Sequence, residues 1–312
     1  MSLSSIQLKG RSAVRSVAML GVAAALLLSP GWPAFAADPI PYGLGLLWKV
    51  EREGVAPSHV FGTIHSTDKR VNRLPKPVKR AVRAAKSLIL EIVRTDDMPV
   101  RMARLMMLHD GRRLEDILGP ELFKRFAKVA GRYGLPSKVL QRIKPWAALM
   151  TISLPPKEKA RQAAGRLPLD LRLGARAQKR GIPVYGLETV EEQLGLFEGL
   201  PEADQISLLA TAVRDNDKLG PMFERMIRAY LKRDLGGLMT WAIDQTAGAD
   251  PRHREIFEIR FIERRNRLMS ERVRARLDAG GAFVAVGAAH LPGEKGLLSL
   301  LAQQGFRVER VY

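Results

Sequence analysis

Ala282-Phe283-Val284-Ala285-Val286-Gly287-Ala288-Ala289-His290 reads as a β-type apolar run that stops at a glycine, with a histidine three residues further on. His59-Val60-Phe61-Gly62-Thr63-Ile64-His65 repeats that layout near the other end of the chain. His65 and His290, two of five histidines, therefore share one local context. An unbroken apolar run of this length fits a strand buried on both faces. The glycine at its end permits either a left-handed backbone or the close approach of another group, because it has no Cβ. In open α/β sheets, ligands gather beyond the carboxyl ends of the strands, which is where both histidines fall. The pattern predicts that strands from the two ends of the chain meet in one sheet and bring His65 and His290 to a shared site.

The remaining elements follow from the same reading. Residues 46–52 form a first strand and turn at Glu53-Gly54 into the strand that ends at Thr63. Pro75 and Pro77 open a helix to about Lys86, with Val78, Val82 and Ala85 on one face. Residues 87–93 are a buried strand interrupted by one carboxylate, Glu91. Apolar residues recur at helical spacing over about 97–154 and again over about 190–279, where the last helix starts near His253. Between these blocks, Pro155-Pro156 begins a polar loop to Arg166, a helix covers 169–180, and 182–186 is a short strand. Residues 306–312 close the chain as a strand. The predicted fold class is α/β, with a central mixed sheet built from the N- and C-terminal strands and two large helical insertions in one domain over 37–312.

Residues 1–36 have the layout of a secretory leader. Lys9, Arg11 and Arg15 stand without an acidic residue, 17–28 is apolar, Pro30-Gly31 breaks the run, and Ala34-Phe35-Ala36 is a cleavage site. The apolar run is shorter than the roughly 20 residues needed to span a bilayer. Cleavage after Ala36 and a periplasmic or secreted location are expected, and no later run reads as a transmembrane helix. The chain has 0 cysteines, so an exported form would be held by its core alone. The formal charge is +19, and removing Lys9, Arg11 and Arg15 leaves +16. The basic residues are spread along helices and aromatics are only 6%, so the interleaved basic and stacking residues of nucleic-acid binders are absent. No nucleic-acid partner is expected; a basic surface facing anionic lipid or acidic polysaccharide of the envelope fits an exported protein.

Neutral imidazole binds transition metals, and carboxylates complete such sites. A catalytic ion needs about three protein ligands and one open position for water, whose pKa it lowers toward neutrality. His65 and His290 are therefore candidate metal ligands. Glu91 is a candidate ligand or general base, since an ionised carboxylate within an apolar strand is costly unless paired or metal-bound. Asp170 and Glu188 are open. The first turn of a helix accounts for Asp170 as well as chemistry does, and the capping region before Thr189 does the same for Glu188. Arg265, in Glu263-Arg264-Arg265-Asn266, is a candidate to orient a carboxylate or to bind a substrate carbonyl oxygen. His59, His109 and His253 lack the strand–glycine context and read as structural or surface residues. No Gly-x-Ser-x-Gly elbow, His-Glu-x-x-His helix, glycine-rich phosphate loop or dinucleotide fingerprint is present.

Taken together, Leu47-Trp48-Lys49-Val50, Phe61-Gly62-Thr63-Ile64-His65 and Leu88-Ile89-Leu90-Glu91-Ile92 resemble the opening signature of the TraB/PrgY/GumN family. Gly186-Leu187-Glu188-Thr189-Val190-Glu191-Glu192-Gln193 is similar to its central signature. Arg265-Asn266 and Val286-Gly287-Ala288-Ala289-His290-Leu291-Pro292-Gly293 are similar to its C-terminal one. The resemblance implies an α/β fold of the erythromycin-esterase and haem-binding ChaN type. It also implies kinship with the Tiki metal-dependent proteases, which use manganese or cobalt at paired Gly-x-x-His motifs and an acidic residue. His65, His290 and Glu91 are the matching positions here. The expected function is an exported metal-dependent hydrolase with a peptide or protein substrate, using manganese, cobalt or zinc. The alternative is a non-catalytic periplasmic protein that binds metal, haem or a signalling peptide through the same histidines.

Overall fold

The computed structural model describes residues 40–247 and 251–312; the leader expected over 1–36 lies outside the described residues. Six strands form one mixed sheet in the order β4-β3-β5-β2-β1-β6. They are β1 (Leu47–Glu51), β2 (Ser58–Thr63), β3 (Ser87–Leu90), β4 (Val184–Gly186), β5 (Ala282–Gly287) and β6 (Arg307–Arg310). β2 and β5 run parallel, with Gly62 opposite Val286 and Thr63 opposite Gly287. β3 lies parallel to both β5 and β4. β1 is antiparallel to β2 on one side and to β6 on the other. The strands of the chain's two ends therefore meet at the middle of one sheet, as the repeated motif predicts.

The burial of β5 explains its sequence. Five of its six residues are buried, and only Gly287 at the end is partly exposed. Such a strand needs no alternation, because both faces are covered. Phe61 and Phe283 pack at 5.9 Å between ring centroids in the core around the sheet. Each such large buried side chain contributes about 1.5–3 kcal/mol relative to an exposed one.

The two helical blocks do not form separate bodies. Trp146 from the first stacks on Phe197 from the second at 6.2 Å, and both belong to one apolar cluster with Phe126, Met102 and Leu209. The Trp146 indole N–H also donates to Glu198.

Three expectations need correction. β3 ends at Leu90, so Glu91 is the first residue past the strand and not inside it. Its carbonyl accepts the N–H groups of Leu187 and Glu188, which turns the chain out of the ladder. The expected polar loop after Pro155 is a helix over Pro156–Ala163, with proline at its first position, where the missing N–H costs nothing. The long helix near His253 is three pieces: an α-helical turn Pro251–Glu255, a π-helix Ile256–Glu263 and an α-helix Arg264–Asp278. Among the described residues no helix is long and apolar enough to cross a membrane.

Candidate functional site

β2, β3, β4 and β5 are mutually parallel, so their carboxyl ends share one edge of the sheet. His65, Glu91, Glu188 and His290 all follow those ends. This is the position at which α/β sheets place their ligands. The two glycines of the motif earn their place by close approach: neither has a positive φ. A Cβ at Gly287 would lie 3.1 Å from Glu91 Oε1, and one at Gly62 would lie 2.9 Å from Leu291 Cδ1.

Arg265 stands at the centre of the site, 5% exposed. Its Nε and Nη2 donate to the two oxygens of Glu188 at 2.8 and 2.6 Å. Nη2 also donates to Glu91 Oε2 at 2.6 Å, and Nη1 donates to His290 Nε2 at 3.0 Å. A guanidinium has five N–H donors, so these contacts leave one on Nη1. Gln193 bridges the carboxylates, donating to Glu91 Oε2 at 3.1 Å and Glu188 Oε2 at 2.9 Å. Glu91 Oε1 accepts the Gly287 N–H at 2.5 Å and lies 4.0 Å from His290 Nε2. Burial alone pushes the Glu91 carboxyl up, but Arg265, His290 and the Gly287 N–H outweigh it and hold it at about 2.

Hydrogen bonding sets the tautomer of His290. Asn266 Nδ2 donates to the Lys295 carbonyl, which leaves Asn266 Oδ1 to accept from His290 Nδ1 at 2.7 Å. Nε2 then carries the lone pair that meets Arg265. Burial and the neighbouring guanidinium lower the imidazole to about 3, so His290 stays neutral.

His65 lines the same cavity with a different partner. Its Nδ1 lies 3.1 Å from Asp170 Oδ1, while its Nε2 is buried with no hydrogen-bond partner. Burial pushes this imidazole down, but the charge and hydrogen bond of Asp170 outweigh it, and its pKa is raised. The loop beyond His65 is pinned by Glu158, which is fully buried and accepts the Thr67 N–H at 2.7 Å. On the strand side, the Tyr230 hydroxyl donates to the Gly62 carbonyl at 2.9 Å.

Glu91, Arg265 and His290 are thus joined directly, and His65 lines the same cavity while bonded to Asp170. Both open carboxylates belong here: Asp170 lies in the first turn of the helix Leu169–Lys179 and also bonds His65, and Glu188 grips Arg265. Capping of the next helix falls to Thr189 and Glu192 instead. His109 is exposed, His59 is half-buried in β2, and His253 is buried near Ser207. Gln193 escapes sequence reading, since an amide on a helix announces nothing until two carboxylates face it.

The donor set suits a divalent cation in kind: two imidazoles whose Nδ1 atoms are engaged by a carboxylate and an amide, and one ionised carboxylate. The buried, unpartnered Nε2 of His65 is the atom that most plainly lacks a partner. In this arrangement Arg265 takes up His290 and Glu91, and among the described residues no three His, Asp or Glu side chains converge closely enough to hold an ion.

The chain is 27% identical to the metalloprotease TIKI2 of Danio rerio over 314 residues, which is 84% of this chain and 60% of the relative. It is 25% identical to the metalloprotease TIKI1 of Homo sapiens over 319 residues, covering 84% of this chain and 61% of that protein. The chain therefore spans about 60% of the length of these curated relatives. No solved structure matches it at a significant level. Comparison with protein-family models matches residues 46–310 to the TraB/PrgY/gumN family. That match takes in all six strands and every site residue described above, and the chain belongs to the TraB/PrgY/gumN family.

Proposed function

We propose that this protein is an exported, metal-dependent hydrolase acting on an amide bond of a peptide or protein. The observation that carries the reading is the buried, unpartnered His65 Nε2 in the same cavity as His290 and Glu91. The relatives named metalloproteases support it. In this reading His65, His290 and Glu91 would hold a divalent ion, with manganese or cobalt as the first candidates and zinc the next. The ion's contribution is a water acidified toward neutrality and a polarised carbonyl. Asp170 and Asn266 keep both Nε2 lone pairs turned inward. Glu91, held at about 2, is a weak base at neutral pH and is better suited to bind than to take a proton. Gln193 and Arg265 fix its Oε2, leaving Oε1 facing His290. The remaining Nη1–H of Arg265 donates to the carbonyl oxygen of the substrate as negative charge develops there. Arg265 Nη1 occupies the His290 Nε2 lone pair, so this contact would have to give way for His290 to bind an ion.

Metal content and affinity of the purified protein, measured beside a His65→Ala/His290→Ala double variant, test this. Stoichiometric binding that the variant loses, with metal-dependent cleavage of a peptide library, is the expected result. No binding in either protein would overturn the metal assignment. Saturable ligand binding without product would replace the hydrolase by a binding protein.

A further inference from the structure

The cavity beside these residues has a volume of about 190 Å³. Its outer walls come from three helical segments: Met222 and Met226 of Leu219–Lys232, Leu238 and Trp241 of Leu235–Ala247, and Phe257 and Phe261 of the π-helix. A π-helix repeats at wider spacing than an α-helix, and such bulges recur at functional sites. Here it aims Phe257, Phe261 and Ile262 at one space and delivers Arg265 directly after them. The charged and imidazole groups that line the cavity, His65, Glu91, Asp170, Arg265 and His290, are those of the catalytic edge described above, and these walls add none.

The wall also includes an indole. Trp241 Nε1 is buried and has no hydrogen-bond partner, while the Arg225 guanidinium lies over the ring at 5.1 Å. An apolar wall favours an apolar ligand, because seating such a group against it removes apolar surface from water. Size limits that ligand. A cavity of about 150 Å³ lined by Leu, Ile and Phe takes benzene, so 190 Å³ holds one aromatic or branched aliphatic side chain and not a long acyl chain. The two methionines let the wall adapt to either shape.

We propose that this cavity is the specificity pocket of the hydrolase, seating one bulky apolar residue of the peptide beside the bond to be cut. The proposal rests on the hydrolase reading above and deepens it. It assigns the substrate class as peptides with phenylalanine, leucine or methionine next to the cleaved bond.

The test separates binding from turnover. Calorimetry measures the affinity of the purified protein for N-acetyl, C-methylamide blocked amino acids with Phe, Leu, Gly or Glu side chains. Phe and Leu should bind at least about tenfold more tightly than Gly and Glu, from burial of the side chain. Leu238→Trp should fill the cavity and erase the preference. Met226→Ala, a milder change, should instead extend tight binding to a Trp compound. Equal affinity for all four compounds, no binding of any, or a Met226→Ala variant with wild-type selectivity overturns the pocket. A peptide library digested with added manganese forms the second arm. Selective binding without cleavage leaves the pocket and removes the hydrolase. Cleavage with no apolar residue at a fixed place relative to the cut leaves the hydrolase and removes the pocket.

Discussion

His290 faces the guanidinium of Arg265 and the amide of Asn266, whereas His65 faces the carboxylate of Asp170. Each stands three residues after a glycine at the end of its strand's ladder, and the two strands are hydrogen-bonded neighbours. Their electrical surroundings are nonetheless opposite. His290 is depressed to about 3 and locked neutral, with both ring nitrogens engaged. His65 is raised, with one nitrogen engaged and one unpartnered. The motif places an imidazole at the sheet edge, and the helices decide what it does there. One half of the site is a finished network; the other is open to a ligand.

The largest expected effect attacks the finished half. Arg265→Met leaves Glu91 and Glu188 buried without their counter-charge, and should cost about 3–5 kcal/mol in chemical denaturation. A loss under about 1 kcal/mol would mean that the network around Arg265 does not form.

Next is the response to pH in the presence of a chelator. A histidine with a depressed folded pKa supports the fold while neutral. The share due to His290 is therefore complete above its ordinary value of 6.5 and is lost as pH falls toward about 3. His65 works in reverse: its share is complete below 6.5 and is lost as pH rises through its raised folded value. Imidazole nitrogen NMR should show His65 protonating first and His290 still neutral at pH 4. Parallel titration of the two rings would erase the contrast.

Single alanine variants sharpen it further. His65→Ala and His290→Ala should both abolish metal binding, but only His290→Ala should also cost about 1–3 kcal/mol, because it strips partners from Arg265 and Asn266. Equal stability of the two variants would deny the asymmetry. The smallest effect is expected of Asp170→Asn, which keeps the shape beside His65 and removes the charge. Metal affinity should fall about 10–100-fold with little change in melting temperature.

Much of this was legible in the chain. The runs at Val60 and Val284 betray their strands because a strand covered on both faces has no polar positions to interrupt it. Glu91 stood out for the same reason, although it proved to be the residue that ends β3. The helix over Pro156–Ala163 was hidden because its residues are mostly polar; its worth lies in one buried carboxylate, Glu158, that ties down the His65 loop. The π-helix was hidden because its apolar residues are dense enough to satisfy α-helical spacing as well. Asp170 and Glu188 each had a local explanation in the sequence, and only the fold gives them the distant partners His65 and Arg265.

The pairing of Thr63 with Gly287 and of Trp48 with Arg310 has a bearing on timing. A ribosome adds about 5–20 residues per second, so β2 and its histidine are made many seconds before the neighbour they need. Contacts so distant in sequence form slowly and late. Until β5 arrives, His65 and Glu91 have neither His290 nor Arg265 beside them, and the central place in the sheet is empty. A chain halted anywhere before residue 282 is thus an unassembled one, whatever helices it has already made. On the proposed hydrolase reading, a chain cut short of β5 lacks His290, and with it half of the paired imidazoles that would hold the ion.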